Sequence, residues 1–195
     1  MNRIACSLAL FVLATASVSH AQTETKPCPN PLVQGHGKPA AGQPLASPAA
    51  SAETQLDGKT VSIKYNAPSI RCRTIMGGLV PYGKLWRLGA NAATTLVTDT
   101  DLTIGDLKVP AGTYTLYALP AAEGAPWQLI VNKQNGQWGT VYNESQDLGR
   151  TPMETGTLPQ SQETMTLSFE SVKGKNAVLH MRWEKTDVSV PVVAD

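Results

Sequence analysis

Alternation of hydrophobic and polar residues is the clearest pattern in this sequence. Val61, Ile63 and Tyr65 alternate with polar residues, and the same pattern recurs over residues 165–170 and 179–184. Because successive side chains of a strand point to opposite faces of its sheet, each run predicts a strand with one buried face. Other runs rich in Val, Ile, Thr, Tyr and Trp predict strands at residues 94–98, 102–104, 113–119, 127–132 and 188–192.

Turn residues separate these runs, and helical periodicity is convincing nowhere. The turn signals are Asp57-Gly58, Gly105-Asp106, Pro110-Ala111-Gly112, Asn135-Gly136 and Gly174. About eight to ten short strands joined in this way predict an all-β domain, either a sandwich or a small barrel. We favour an antiparallel β-sandwich, because nothing in the pattern requires a closed sheet.

The N-terminus has the three parts of a secretory signal peptide. Arg3 supplies the positive charge, residues 4–18 form an apolar run, and small residues lead to a cleavage site after Ala21. The run is too short for the roughly 20 residues that span a bilayer. Residues 1–21 are therefore predicted to be removed, leaving an exported protein, periplasmic or extracellular, without a transmembrane segment.

A change in composition divides the remaining chain. Residues 22–52 contain six prolines and no aromatic residue, whereas all four tryptophans and all five tyrosines follow residue 53. The first stretch cannot bury enough apolar surface to offset its ordering entropy. We therefore predict a disordered linker over residues 22–52 and a single domain over residues 53–195.

Charge argues against a nucleic-acid partner. Without Arg3 the exported chain has 15 basic and 15 acidic residues, so its formal net charge is zero. Proteins that bind nucleic acid rely on a surplus of positive charge.

Two cysteines remain after Cys6 is removed with the signal peptide, namely Cys28 and Cys72. In an oxidising compartment a disulfide between them is the natural pairing. The alternatives are two free thiols or a metal site, although two cysteines without a nearby pair of histidines make a poor zinc site.

The most promising segment for ligand binding is a long irregular loop over residues 71–91. It gathers cationic, planar and hydrogen-bonding groups that can hold a carboxylate, a phosphate or a sugar. The candidate ligand-binding residues in this loop are Arg71, Arg73, Tyr82, Trp86, Arg87 and Asn91. Further candidates downstream are Trp138, Tyr142 and Arg150.

A structural role is the competing interpretation of the same loop, and we give it slightly more weight. Ile75, Leu79, Leu85 and Trp86 would then fill one end of the sandwich. The arginines would pair with carboxylates of the domain, and the candidate carboxylates are Asp99, Asp101 and Asp147.

The loop also carries a family resemblance. Its elements are Pro68-Ser69, Arg71, Arg73, the run from Gly78 to Lys84, Trp86-Arg87, Gly89-Ala90-Asn91 and Ala93-Thr94-Thr95. Downstream it continues through residues 110–114, Pro120, Trp127, Asn132, Trp138-Gly139 and Tyr142. This pattern resembles the bacterial family named domain of unknown function 2911, and it covers most of residues 53–190. The resemblance implies an exported protein of the bacterial envelope and no particular activity.

The chain departs from the family pattern at two positions. Ala92 stands where family members often have a glutamate, which argues against an essential carboxylate there. Cys72 stands where a glycine often lies between the two arginines. A bridge from Cys28 to Cys72 would then be a local addition that ties the linker to the loop.

The usual catalytic motifs are missing. Of two histidines left in the exported chain, His36 lies in the linker and His180 is expected to face solvent on a strand, so a histidine triad or a multi-histidine metal site lacks parts. We assign no catalytic residue, metal or cofactor. The expected function is a non-catalytic module that binds a small polar or anionic ligand or an envelope component.

A carboxylate-dependent hydrolase of sugars or envelope material is the alternative, because two carboxyl groups at a suitable separation suffice for that reaction. The carboxylates available for it are Asp99, Asp101, Glu144 and Asp147.

Overall fold

The computed structural model describes residues 46–122 and 125–195, and these residues form an all-β protein. Its strands are β1 (Ala49–Leu56), β2 (Lys59–Asn66), β3 (Thr94–Thr98), β4 (Leu102–Ile104), β5 (Leu107–Val109), β6 (Gly112–Leu119), β7 (Trp127–Asn132), β8 (Asp147–Lys173) and β9 (Asn176–Ala194). The helical content of the described residues is one 3₁₀ turn, Glu144–Gln146. The predicted all-β class is confirmed, and nine strands agree with the expected eight to ten.

All nine strands belong to one antiparallel sheet, in the order β1-β2-β3-β6-β7-β8-β9-β4-β5. The predicted division into two sheets is not confirmed. Strand β8 pairs with β7 over Asp147–Met153 and with β9 from Glu154 onward. Strand β9 in turn pairs with β4 near its end. Hydrogen bonding therefore continues from one half of the domain to the other.

The last two strands are much longer than the sequence suggested, with 27 residues in β8 and 19 in β9. The register shifts between Thr157 and Gln162, where β8 advances five residues while β9 moves from Thr186 to Glu184. Such bulges bend a strand without ending it. The exposed Pro159 lies in this step, so a residue that normally interrupts a strand is tolerated here.

The hairpin after β1 follows its turn sequence. Asp57 and Gly58 have φ values of 47° and 77°, the left-handed pair required by a type I′ turn. The N–H of Asp57 donates to the carbonyl of Gly174, 3.1 Å away, which joins this turn to the β8–β9 hairpin. Asn135-Gly136 does not form a tight hairpin turn, because β7 ends at Asn132 and β8 begins only at Asp147. The turn signal there belongs to a longer connection.

The sheet begins earlier than the predicted domain boundary. Strand β1 starts at Ala49, so residues 49–52 of the predicted linker pair with β2. Small alanines carry the alternation here, and Ala52 is buried. The signal peptide and the linker up to residue 45 lie outside the described residues.

A single hydrophobic cluster forms the core. Val61 and Ile63 are fully buried, as their alternation predicted, and Met181 and Trp183 are buried on β9. The loop that follows β2 packs against this core through Ile75 and Trp86. Within the two described ranges, no helix has the length and hydrophobicity that crossing a membrane requires.

Candidate anion-binding pocket

A cavity of about 500 Å³ lies beside the loop of residues 71–91. Among the described residues, its lining contains two arginines and no acidic side chain. The lining residues are Ala46, Ser47, Pro68, Arg73, Leu79, Pro81, Leu85, Trp86, Arg87, Gly89, Ala90, Asn91, Gly139, Thr140 and Trp183. We call this cavity the Arg87 pocket. Its volume is in the range that small-molecule sites occupy.

Trp86 anchors the pocket to the core. Its backbone exchanges two hydrogen bonds of 2.8 Å with Ala118 of β6. Its indole stacks on Trp183 at a centroid distance of 6.0 Å and meets Trp127 edge-on at 6.3 Å. Trp86 is 8% exposed and Trp183 is fully buried. The structural interpretation of Trp86 is therefore correct, and its side chain offers little surface to a ligand.

Arg87 follows directly and is half-buried. Its Nε donates to the carbonyl of Gly89, 3.1 Å away. The ion pairs among the described residues all belong to other side chains. Burial lowers the pKa of Arg87 from its usual value, and no carboxylate of the described residues opposes that effect. In the described part of the chain, its two terminal nitrogens have no hydrogen-bond acceptor.

Gly139 and Asn91 hold Arg87 in place. The N–H of Gly139 donates to the carbonyl of Asn91 at 2.9 Å. A Cβ on Gly139 would lie 2.7 Å from Cδ of Arg87 and 2.9 Å from that carbonyl. Asn91 has a φ of 56°, and its side-chain amide donates to the carbonyl of Ser47. Only a glycine at 139 lets the two segments approach this closely.

Arg73 adds a second positive charge to the pocket. Its Nε donates to the carbonyl of Ile70 at 3.1 Å and its Nη2 to the carbonyl of Ser69 at 2.7 Å. Burial lowers its pKa most, the nearby Arg71 lowers it further, and Glu163 acts in the opposite direction. Since its guanidinium donates to backbone carbonyls, Arg73 contributes mainly electrostatic field to the pocket.

The structure separates the nine predicted ligand-binding residues into two groups. Arg73, Trp86, Arg87 and Asn91 line the Arg87 pocket. The remaining five do not line it, and they are Arg71, Tyr82, Trp138, Tyr142 and Arg150.

Three of those five lie in the loop or contact it, but outside the pocket lining. Arg71 is exposed and donates to the carbonyl of Ala46. Tyr82 lines a second cavity of about 500 Å³. Trp138 is 55% exposed and its backbone bridges to Ala92.

Tyr142 and Arg150 belong to a separate hydrogen-bonded cluster. Asp147 accepts from the Tyr142 hydroxyl at 2.7 Å and from Nη2 of Arg150 at 3.0 Å. It also accepts from the buried amide of Asn132, and Glu144 pairs with Arg150 at 2.7 Å. Burial, then the bond to Asp147, raises the pKa of Tyr142 to about 12. We call these five residues the Asp147 cluster.

One comparison with known proteins gives a result. The model of a protein family described as "Protein of unknown function (DUF2911)" matches residues 47–192, about three quarters of the chain. The chain belongs to the DUF2911 family. No curated protein and no solved structure matches it.

The family match confirms the resemblance and begins within the pocket lining, at Ser47. Ala92, where DUF2911 members were expected to carry a glutamate, lines a different cavity of about 470 Å³ next to β1 and β2. That position therefore lies outside the lining of the Arg87 pocket in this DUF2911 protein.

The carboxylates considered for hydrolysis do not line the Arg87 pocket. Asp101 accepts the N–H of Ala111 at 2.7 Å. Asp99 is exposed in the turn between β3 and β4. Glu144 and Asp147 come together, but around Arg150. In the two described ranges no group of three or more His, Cys, Asp or Glu is arranged to hold a metal ion.

The expected loop arrangement was wrong in part. Leu79 and Leu85 are 46% and 37% exposed instead of filling the end of the domain. His180 is not simply solvent-facing, because its Nδ1 lies 2.8 Å from Asp187 and its side chain is 18% exposed. Sequence reasoning also missed Gly139, although Trp138-Gly139 stood in the family pattern, and Trp183, whose alternation on β9 showed only that it is buried.

Proposed function

We propose that this DUF2911 protein is an exported, non-catalytic module that binds a small anionic ligand in the Arg87 pocket. The observation that carries the proposal is the half-buried guanidinium of Arg87, whose terminal nitrogens have no acceptor among the described residues. Buried charges are normally paired, and partial burial without a carboxylate is unfavourable. An anion in the pocket would supply the missing partner.

The lining supports an anion over a cation or a sugar. Arg73 and Arg87 give it two positive charges, and no described lining residue is acidic. A guanidinium binds carboxylate and phosphate through a planar fork of N–H groups. Sugar binding usually uses an exposed aromatic face, and in this pocket both tryptophans are buried in the core.

A pair of matched variants tests the proposal. Acetate and inorganic phosphate are titrated into the protein while the backbone amides are followed by NMR. Wild type should show saturable shifts at Gly89, Asn91 and Gly139. Arg87→Gln should weaken binding about 10- to 150-fold, the range expected for losing charge-assisted hydrogen bonds.

Arg150→Gln removes the same charge outside the pocket and serves as the control. Its affinity for both anions should equal that of wild type. Equal losses in the two variants would mean that the anion responds to overall charge, and the proposed site would be rejected.

Export and the disulfide are part of the same proposal. They rest on the pattern of residues 1–21 and on Cys28 and Cys72 being the two cysteines of the exported chain. Cys28 lies outside the described residues. Mass spectrometry and N-terminal sequencing of protein from a periplasmic fraction should show a chain that starts at Gln22. Thiol titration of the same protein should find no free thiol. Two titratable thiols would refute the bridge.

A further inference from the structure

Aliphatic side chains stand beside the positive charge of the Arg87 pocket. Leu79 and Leu85 both line the cavity, and they are 46% and 37% exposed. Pro68 and Pro81 extend the apolar lining. A scattered exposed leucine is ordinary, but two beside one cavity with a charged group match the make-up of ligand sites, mostly apolar with few polar groups.

The aromatic residues of the lining cannot take over this apolar contact. One face of Trp86 is covered by Trp183, and the edge of Trp127 contacts it as well. Trp183 itself is fully buried. A flat ring would therefore find no open indole face, whereas an aliphatic chain can pack on the two leucines.

The hydrogen bonds of Arg87 restrict the anionic group. Its Nε is already engaged by the carbonyl of Gly89. The two terminal nitrogens remain, and together they present the end of the guanidinium fork, which binds two oxygens of one carboxylate or phosphate group.

We infer that the ligand is a soluble amphipathic anion, with its carboxylate or phosphate group on Arg87 and an aliphatic chain on Leu79 and Leu85. The inference rests on the proposed function, because it names the ligand class of the same pocket. It adds that the binding free energy is divided between Arg87 and an aliphatic rim formed by Leu79 and Leu85.

The test is a titration series of acetate, butanoate, hexanoate and octanoate, measured by calorimetry at constant ionic strength. Each added methylene that becomes buried should lower Kd roughly fourfold, from about 0.8 kcal/mol per methylene. Heptyl phosphate, which carries the same alkyl chain as octanoate, is included as the second head group, and its binding should also weaken in Arg87→Gln.

A variant of the rim separates the two contributions. Leu79→Ser with Leu85→Ser should abolish the gain with chain length while leaving the affinity for acetate unchanged. Val172→Ser is the matched control, since Val172 is 47% exposed and does not line the pocket. It should show the full dependence on chain length.

The outcomes distinguish this inference from the proposal on which it depends. Binding that requires Arg87 but is equal for acetate and octanoate would overturn the amphipathic ligand and keep the anion site. Arg87→Gln should weaken all the acids by a similar factor and keep the gain with chain length. Affinities for acetate and octanoate that are both unchanged in Arg87→Gln would overturn both proposals, as would the absence of binding throughout. Co-sedimentation with anionic vesicles, without binding of soluble acids, would also contradict a soluble ligand.

Discussion

Arg87 and Arg150 carry the same guanidinium in opposite surroundings. Arg150 is bonded to Asp147, Glu144 and the hydroxyl of Tyr142. Arg87 is more buried, yet its one hydrogen bond among the described residues goes to the carbonyl of Gly89. The first arginine is occupied by the protein itself and ties a loop to the sheet. The second keeps its binding capacity, at some cost in stability, and this difference separates a structural cluster from a candidate site.

Trp86 connects the Arg87 pocket to the core, and removing its side chain should have the largest effect on stability. Trp86→Ala should reduce the free energy of unfolding by about 3–5 kcal/mol, because it leaves a cavity beside Trp183 and Trp127. Urea denaturation followed by circular dichroism measures the loss. Trp138→Ala, at a 55% exposed position, should change the stability by no more than about 0.5 kcal/mol. A loss in Trp86→Ala as small as the one expected for Trp138→Ala would show that Trp86 is not part of the core.

An intermediate effect is expected in the Asp147 cluster. Asp147→Ala leaves Tyr142, Arg150 and the buried amide of Asn132 without their shared acceptor. We expect the free energy of unfolding to fall by about 1–3 kcal/mol, with no change in acetate binding. Glu144→Ala is the milder control, because the ion pair between Glu144 and Arg150 is exposed. It should lower the free energy of unfolding by less than about 1 kcal/mol. A loss of acetate affinity in Asp147→Ala would show that the Asp147 cluster and the Arg87 pocket are not independent.

The smallest effect is a pH dependence confined to the same cluster. The pKa of Tyr142 is raised to about 12 by burial and by its bond to Asp147. A raised pKa in the folded state means that this stabilisation is complete below the ordinary tyrosine pKa of about 10 and is lost as the pH rises from there through about 12.

Ultraviolet absorbance of tyrosinate measures this titration. Burial also raises the pKa of Tyr114 and Tyr117, so more than one tyrosine should ionise late. Asp147→Asn should lower the pKa of Tyr142 and so shift part of the late transition to lower pH, because the carboxylate charge that opposes ionisation is removed. If the late transition persists unchanged in that variant, Tyr142 is not its source.

Strand alternation was sufficient to predict much of the fold. Residues 94–98, 102–104 and 127–132 have the predicted strand bounds, because a half-buried strand records its two faces directly in its sequence. The same reasoning failed for β8 and β9, where bulges let the pairing continue past Pro159. It also missed β1, because Ala49, Ala50 and Ala52 carry little hydrophobic contrast.

The sequence by itself determined the all-β class, the family and the segment that holds the cationic groups. Tertiary structure alone decided that Trp86 serves the core, that Arg150 is paired, and that Arg87 lines a pocket beside Gly139. The physical reason is that alternation is a local property of the backbone, whereas Trp86 meets Trp183 and Arg87 meets Gly139 across long stretches of the chain. Arg150 has a carboxylate three residues away in the sequence, and no carboxylate of the described chain forms an ion pair with Arg87.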